Sequence, residues 1–148
     1  MNEGSYTKDF EGWNPKKQQI NAIPEPPFYH EREVWWCALG VNVGNESDGT
    51  GENFDRPVLV IRGFSRNVFF GVALTGRRRE GRFYVPLGKI AGDEEDRESS
   101  VVLSQARLID ARRLVRKMTT LDEKIFMGVK VSLQNLLFGP VPTKKKGV

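Results

Sequence analysis

Residues 56–75 read RPVLVIRGFSRNVFFGVALT, and this stretch decides the fold class. It holds two apolar runs, Arg56–Arg62 and Asn67–Thr75, rich in β-branched and aromatic residues and separated only by Gly63–Arg66. Such residues suit a pleated, half-buried surface, and so short a connection predicts a β-hairpin. Pro57 stands at the start of the first run, where a missing N–H does least harm to a ladder. Working outward, Glu33–Leu39 (EVWWCAL) has the length and composition of a further strand, and Arg82–Leu87, Ser99–Asp110 and Leu114–Thr119 supply three more. Gly76–Gly81 is a basic turn and Gly88–Glu98 a charged loop. Gly40–Asp55 carries four glycines with Asn, Ser and Asp, so it is a long loop, and long loops in compact domains are usually functional or disordered.

Helices are expected only at the two ends. Thr120 and Glu123 form a capping box, Ile125, Val129, Leu133, Leu136 and Leu137 supply an apolar stripe, and Gly139–Pro140 stop the helix. Near the start, Phe10, Trp13 and Ile20 share one face of a short helix, and Pro24, Pro26 and Pro27 then force an extended linker. The expected division is an arm and linker over 1–30, one domain over 31–140 and a basic, disordered tail over 141–148. About six short strands followed by one helix predict a mainly β fold with α, a small barrel. Periodicity alone leaves SH3-like and OB barrels both open.

Composition narrows the function. The 148 residues suffice for one domain with a real core. The sequence has no run of about 18 apolar residues, and the start MNEGSYTKDFEGW lacks a secretory pattern, so a cytoplasmic protein without a membrane span is expected. The single cysteine, Cys37, cannot form an internal disulfide and reads as a small buried hydrophobe. One cysteine and one histidine leave little for a zinc site, and no cofactor is expected. The net charge of +4 favours anionic partners only weakly; its distribution says more. Arg62, Arg66, Arg77, Arg78, Arg79 and Arg82 form one cluster and Arg107, Arg112, Arg113, Arg116 and Lys117 another, separated by acidic residues between Asp93 and Glu98. Arginine's planar fork of donors suits phosphates and base edges.

Three stretches in order carry a family resemblance: EVWWCALGVNVGNESDG followed by RPVLVI, then VFFGVALT, then VVLSQARLIDARRLVRKMTTLDE. Over about residues 32–138 the chain resembles the MazF/PemK/Kid toxins of type II toxin–antitoxin systems, and FYHEREVWWC resembles a PemK-like subgroup with an N-terminal extension. The resemblance implies an SH3-like barrel with a C-terminal helix and a helical arm. It implies a homodimer whose facing subunits form an RNA groove. It also implies metal-independent endoribonuclease activity on single-stranded RNA, and inhibition by a cognate acidic antitoxin.

Such toxins use the substrate's own 2′-hydroxyl to attack the neighbouring phosphate, leaving 2′,3′-cyclic phosphate and 5′-hydroxyl ends. The reaction needs a base, an acid and positive charge on the transition state. Carried over by motif, Arg56 of the Arg-Pro pair would clamp and stabilise the phosphate, and Thr75 at the strand end would hold a non-bridging oxygen. Glu46 stands in place of the loop glutamate, as base, as orienter or as a solvated carboxylate. Asn45, Ser47, Arg77, Arg78, Gln105 and Arg107 are candidate RNA contacts. Gln105 and Arg107, two apart on one strand, share a face and could equally be a structural pair. Ser104 and Val102 stand where some members carry a carboxylate and an arginine, so the Kid-like acid–base pair is absent. His30 lies in the linker, outside the core of the match. The alternative function is a non-catalytic barrel that binds nucleic acid or inhibits DNA gyrase. Trp35 and Trp36 point to opposite faces, so at most one is core. Phe10 and Trp13 are expected to pack the arm onto the barrel, away from the groove.

Overall fold

The computed structural model describes residues 6–139. The element order is α1 (Phe10–Asn21), β1 (Glu33–Ala38), β2 (Asp55–Gly63), β3 (Val68–Thr75), β4 (Tyr84–Lys89), β5 (Glu98–Asp110), a 3-10 turn (Ala111–Arg113), β6 (Leu114–Thr120) and α2 (Glu123–Phe138). The chain is mainly β with α, as expected. The strands form one antiparallel sheet in the order β4-β5-β3-β2-β1-β6. The hairpin of residues 56–75 is its centre, with Val58 opposite Ala73 and Val60 opposite Gly71.

The connection from β5 to β6 explains the shape. These strands stand four places apart, about 19 Å in a flat sheet. Only Ala111–Arg113 join them, and the four Cα steps from Asp110 to Leu114 reach at most about 14 Å. The sheet must therefore curl. It does so without closing its hydrogen-bond ladder, since β4 and β6 remain edges. The expected barrel is thus a curled, open sheet. Its inner face buries Trp35, Cys37, Val58, Val60, Phe69, Ile109 and Leu114. On the other face Val34, Leu59, Val72, Leu74, Val101 and Leu103 meet Phe126, Val129 and Leu133 of α2. Trp35 is core and Trp36 is half-buried, as alternation requires.

Two expectations about the helices are corrected. Asp122, not Thr120, caps α2, and its carboxylate accepts the Lys124 N–H at 2.9 Å. Thr120 cannot serve because it is still paired with Glu33 in the β1–β6 ladder. Of the expected stripe Val129 and Leu133 are buried, together with Phe126, whereas Ile125 and Leu137 are exposed. Gly139 ends α2 with a positive φ, whereas Pro140 and the basic tail lie outside the described residues. In α1 only Trp13 is buried; Phe10 is 53% exposed, because one aromatic fills the space between the arm and the domain. Trp13 packs with Ala38 and Val41, its ring 5.5 Å from that of Phe54. Gly40 makes this possible: its φ is +78°, and a Cβ there would lie 2.1 Å from the Trp13 ring.

Candidate functional site

The site grows from an irregularity in β5. Ala106 pairs with Val72 of β3, but the next paired residues are Val101 and Leu74. Residues 102–105 therefore stand opposite Ala73 alone, and the strand bulges away from its neighbour. The bulge exposes Ser104 and sends Gln105 across to the glycine-rich loop. Its Oε1 accepts the Ser47 N–H at 2.8 Å and its Nε2 donates to the Asn45 carbonyl at 3.0 Å. A cleft of about 560 Å³ opens there, lined by Asn42, Asn45, Glu46, Ser47, Ser104, Gln105, Ala106 and Arg107. Asn45, Glu46, Ser47, Gln105 and Arg107, far apart in sequence, are thus brought together. Gln105 is a structural fastener for the loop as well as a cleft residue. Arg107 is half-buried, and its Nε reaches only the Leu108 carbonyl, at 3.3 Å.

The loop is built by its own polar side chains. Asn42 Nδ2 donates to the Leu39 and Ser47 carbonyls. Glu46 accepts the Val43 N–H at 2.9 Å, so this carboxylate folds back on its own turn while remaining exposed. Gly49 donates to the Gly40 carbonyl at 2.8 Å and lies so close to Phe54 that a Cβ would meet the Phe54 carbonyl.

Arg56 sits at the foot of this loop, half-buried, opposite Cys37 in the ladder. Its Nε donates to the Asp48 carbonyl at 2.8 Å and its Nη1 to the Leu74 carbonyl at 3.4 Å. Both partners are backbone oxygens, and among the described residues nothing accepts from Nη2. Burial lowers the pKa of the guanidinium, against the opposing pull of Asp48, but arginine stays charged in proteins. The bond to Leu74 brings Arg56 next to Thr75, which is half-buried at the end of β3 and paired with Ser100. Arg77 and Arg78 follow on an exposed turn and do not line the cleft. Arg78 is paired with Glu80 at 2.9 Å.

Sequence reasoning missed Asp48. It is buried, and its carboxylate accepts the Asn42 N–H at 2.6 Å and the Tyr6 hydroxyl at 2.9 Å, with Lys8 Nζ 3.1 Å away. Burial pushes its pKa up, but these hydrogen bonds outweigh it and hold the carboxyl below its ordinary range. A signal existed, since Asp48-Gly49 in a polar loop is a turn pair, but nothing local announced a buried ion.

Several arginines of the two basic clusters are structural. Arg112 chelates Asp110, Arg113 donates to the Ala38 and Leu39 carbonyls, and Arg66 lies 3.7 Å over the Phe28 ring. The acidic loop is likewise tied down, Asp93 by Arg97 and Glu94 by Arg116. His30 is largely exposed, with Nδ1 3.6 Å from Glu33, and stands outside the cleft. Among the described residues no three His, Cys, Asp or Glu side chains are placed to hold a metal ion. Among them, too, no helix is long and apolar enough to cross a membrane.

Residues 30–137 match the family model of the PemK-like, MazF-like toxins of type II toxin–antitoxin systems. The chain belongs to this family. The PemK-like assignment covers the whole sheet and most of α2, and leaves the arm outside it. Solved structures share the fold of this PemK-like toxin at low identity. An endoribonuclease in complex with its cognate antitoxin from a mycobacterial species is 17% identical, with a TM-score of 0.55, covering 78% of this chain and 99% of its own. MazF from Deinococcus radiodurans is 19% identical, with a TM-score of 0.56, covering 76% and 96%. The Mycobacterium tuberculosis toxin MazF-mt6 is 17% identical, with a TM-score of 0.54, covering 70% and 94%. No curated protein sequence matches the chain.

Proposed function

We propose that this toxin is a cytoplasmic, metal-independent endoribonuclease acting on single-stranded RNA, as a homodimer, and restrained by a cognate acidic antitoxin. The observation that carries the reading is the setting of Arg56. It is half-buried, aimed by two backbone carbonyls rather than neutralised by a carboxylate, and placed beside Thr75. A preorganised cation of this kind stabilises charge as it develops on an attacked phosphate, with no reorganisation at the moment of reaction. Thr75 would hold a non-bridging oxygen. Asn45, Ser47, Gln105 and Arg107 would seat the RNA in the adjoining cleft, and Arg77 and Arg78 would add exposed phosphate contacts.

The 2′-oxygen–phosphorus bond forms as the phosphorus–5′-oxygen bond breaks. Glu46 accepts the 2′-proton through the oxygen not bonded to Val43, and water at the open cleft protonates the leaving 5′-oxygen. The solved structure of the same fold that is called an endoribonuclease, bound to its cognate antitoxin, supports the reading.

The test is single-turnover cleavage of end-labelled RNA at saturating protein in EDTA. Arg56→Ala should lower the rate about 100- to 1,000-fold. The ends should be 2′,3′-cyclic phosphate and 5′-hydroxyl. A 5′-phosphate product, or full activity in Arg56→Ala, would show the assignment to be wrong. Salt-dependent RNA binding without cleavage would identify instead a non-catalytic binding barrel, the outcome that exposed Ser104 in the cleft favours.

A further inference from the structure

We infer that the N-terminal arm is part of the active-site apparatus: Lys8 and Tyr6 clamp the buried carboxylate of Asp48, and through its carbonyl they hold Arg56 in place. The inference rests on the endoribonuclease reading of the Arg56 site. Lys8 and Tyr6 are positioning residues, since they act through Asp48 and Arg56.

Asp48 is the point at which three separate parts of the chain meet. Its carboxylate takes three donors, of which only the Asn42 N–H comes from its own loop. The Tyr6 hydroxyl and the Lys8 ammonium come from the arm, 42 and 40 residues earlier in the sequence. Lys8 also donates to the Asn42 carbonyl at 2.6 Å, bridging the two limbs of the loop. The backbone carbonyl of the same Asp48 takes the Arg56 Nε–H at 2.8 Å. On either side of Asp48, the Ser47 N–H is held by Gln105 and the Gly49 N–H by the Gly40 carbonyl. These two flanking bonds hold the cleft wall independently of the arm, so a displacement of Asp48 is passed chiefly to the catalytic arginine.

A buried carboxylate is kept in place only while its charge is compensated. Removal of the Lys8 cation leaves Asp48 with neutral donors alone, and the segment relaxes toward water. Arg56 then loses the oxygen that sets the direction of its fork. Misplacing a reacting group by about 1 Å costs on the order of 100-fold in rate, so partial loosening of the clamp should cost about tenfold. Neither Tyr6 nor Lys8 lies within residues 30–137, the stretch that the family model matches. Lys16 provides a control on the same arm: it reaches Asn53 of the same loop at 3.5 Å but not Asp48.

The experiment compares Lys8→Met, Tyr6→Phe, Lys8→Arg and Lys16→Met in the full chain, each with Arg56 and with Arg56→Ala. The readouts are the single-turnover rate and the protein concentration giving half-saturation. Lys8→Met should lower the rate about tenfold while half-saturation stays within about twofold, the signature of misaligned chemistry rather than weakened binding. Lys8→Arg should restore most of the rate, and Lys16→Met should leave it unchanged. In the Arg56→Ala background Lys8→Met should cost nothing further, because the group it positions is gone. Hydrogen exchange at the Arg56 Nε–H, followed by NMR on arginine-labelled protein, should quicken about tenfold in Lys8→Met and Tyr6→Phe. Unchanged rate and unchanged Nε–H exchange overturn the inference, as does an equal loss with and without Arg56. If the unsubstituted toxin cuts no RNA, the endoribonuclease reading fails, and the Nε–H exchange still decides whether the arm holds Arg56.

Discussion

Replacement of Trp13 by alanine should undock the arm while leaving the sheet folded. Trp13 is 5% exposed and is the only buried residue of α1, so its loss removes the apolar anchor of the helix. A buried tryptophan removes about 150–250 Å² from water, which at about 25 cal/mol per Å² sets an upper bound near 4–6 kcal/mol. Measured Trp→Ala costs run about 3–5 kcal/mol, and an arm that can float free relaxes toward the low end. A loss of about 3 kcal/mol raises the opening constant about 100-fold. Of the remaining anchors, Arg112 on the Asn21 carbonyl and Lys16 near Asn53 are exposed hydrogen bonds that offset little of this, and the Tyr6 and Lys8 contacts to Asp48 hold the residues before the helix, not the helix itself. Trypsin at Lys16 and Lys17 reads the opening directly, because a helical segment must unwind to enter a protease. The initial cleavage rate there should rise about 100-fold, in line with the change in opening constant, while amides of β2 and β3 keep their exchange protection. Gly40→Ala should act in the same direction, through its positive φ and its clash with the indole. A cleavage rate unchanged in Trp13→Ala would refute the claim that this side chain docks the arm.

Three further outcomes follow from single side chains. Arg78→Ala should mainly weaken RNA binding and flatten its salt dependence, with little change in the rate at saturation, since Arg78 is exposed and its partner is the neighbouring Glu80; binding measured between about 50 and 200 mM salt checks this. The Asp48 carboxyl is held below its ordinary value, so the stability it contributes is present above its unfolded pKa, about 4, and is lost as pH falls through the lower folded value. Trypsin accessibility being unusable there, arm docking followed by tryptophan fluorescence from pH 6 to 2 should show an acid transition that Asp48→Asn diminishes; identical profiles would contradict the assignment. Burial pushes the Cys37 thiol up to about 12, so a thiol reagent at pH 8 should label it only on unfolding, and fast labelling of the native protein would contradict its place in the core.

Much of this molecule is legible in its amino-acid order because local patterns carry it. Alternating apolar runs identify all six strands to within about two residues, and Gly40–Asp55 reads as a loop from its composition alone. Cys37 as core and Trp35 against Trp36 follow from the period of two. The motifs in order sufficed to suggest the family. The capping box does not mark the helix start, because it is a local pattern, whereas whether Thr120 is helical or extended depends on its pairing with Glu33. Phe10 stays exposed although it shares the face of Trp13, because spacing identifies a helical face but not how much of it has a partner.

Amino-acid order supplies the residues able to bear the chemistry; the pairing of distant segments selects which of them meet. Arg56 and Thr75 are 19 positions apart, yet they are neighbours because β2 and β3 pair and the Leu74 carbonyl receives the guanidinium. Asn45 and Ser47 join Gln105 only because β5 bulges at residues 102–105, and no local pattern in SSVVLSQARLID marks that break. Asp48 reads as one more polar loop residue until Tyr6 and Lys8 fold over it. The physical reason is common to all three. A hydrogen bond between distant residues needs closure of the intervening chain, and that closure is driven by burial of core residues elsewhere in the fold.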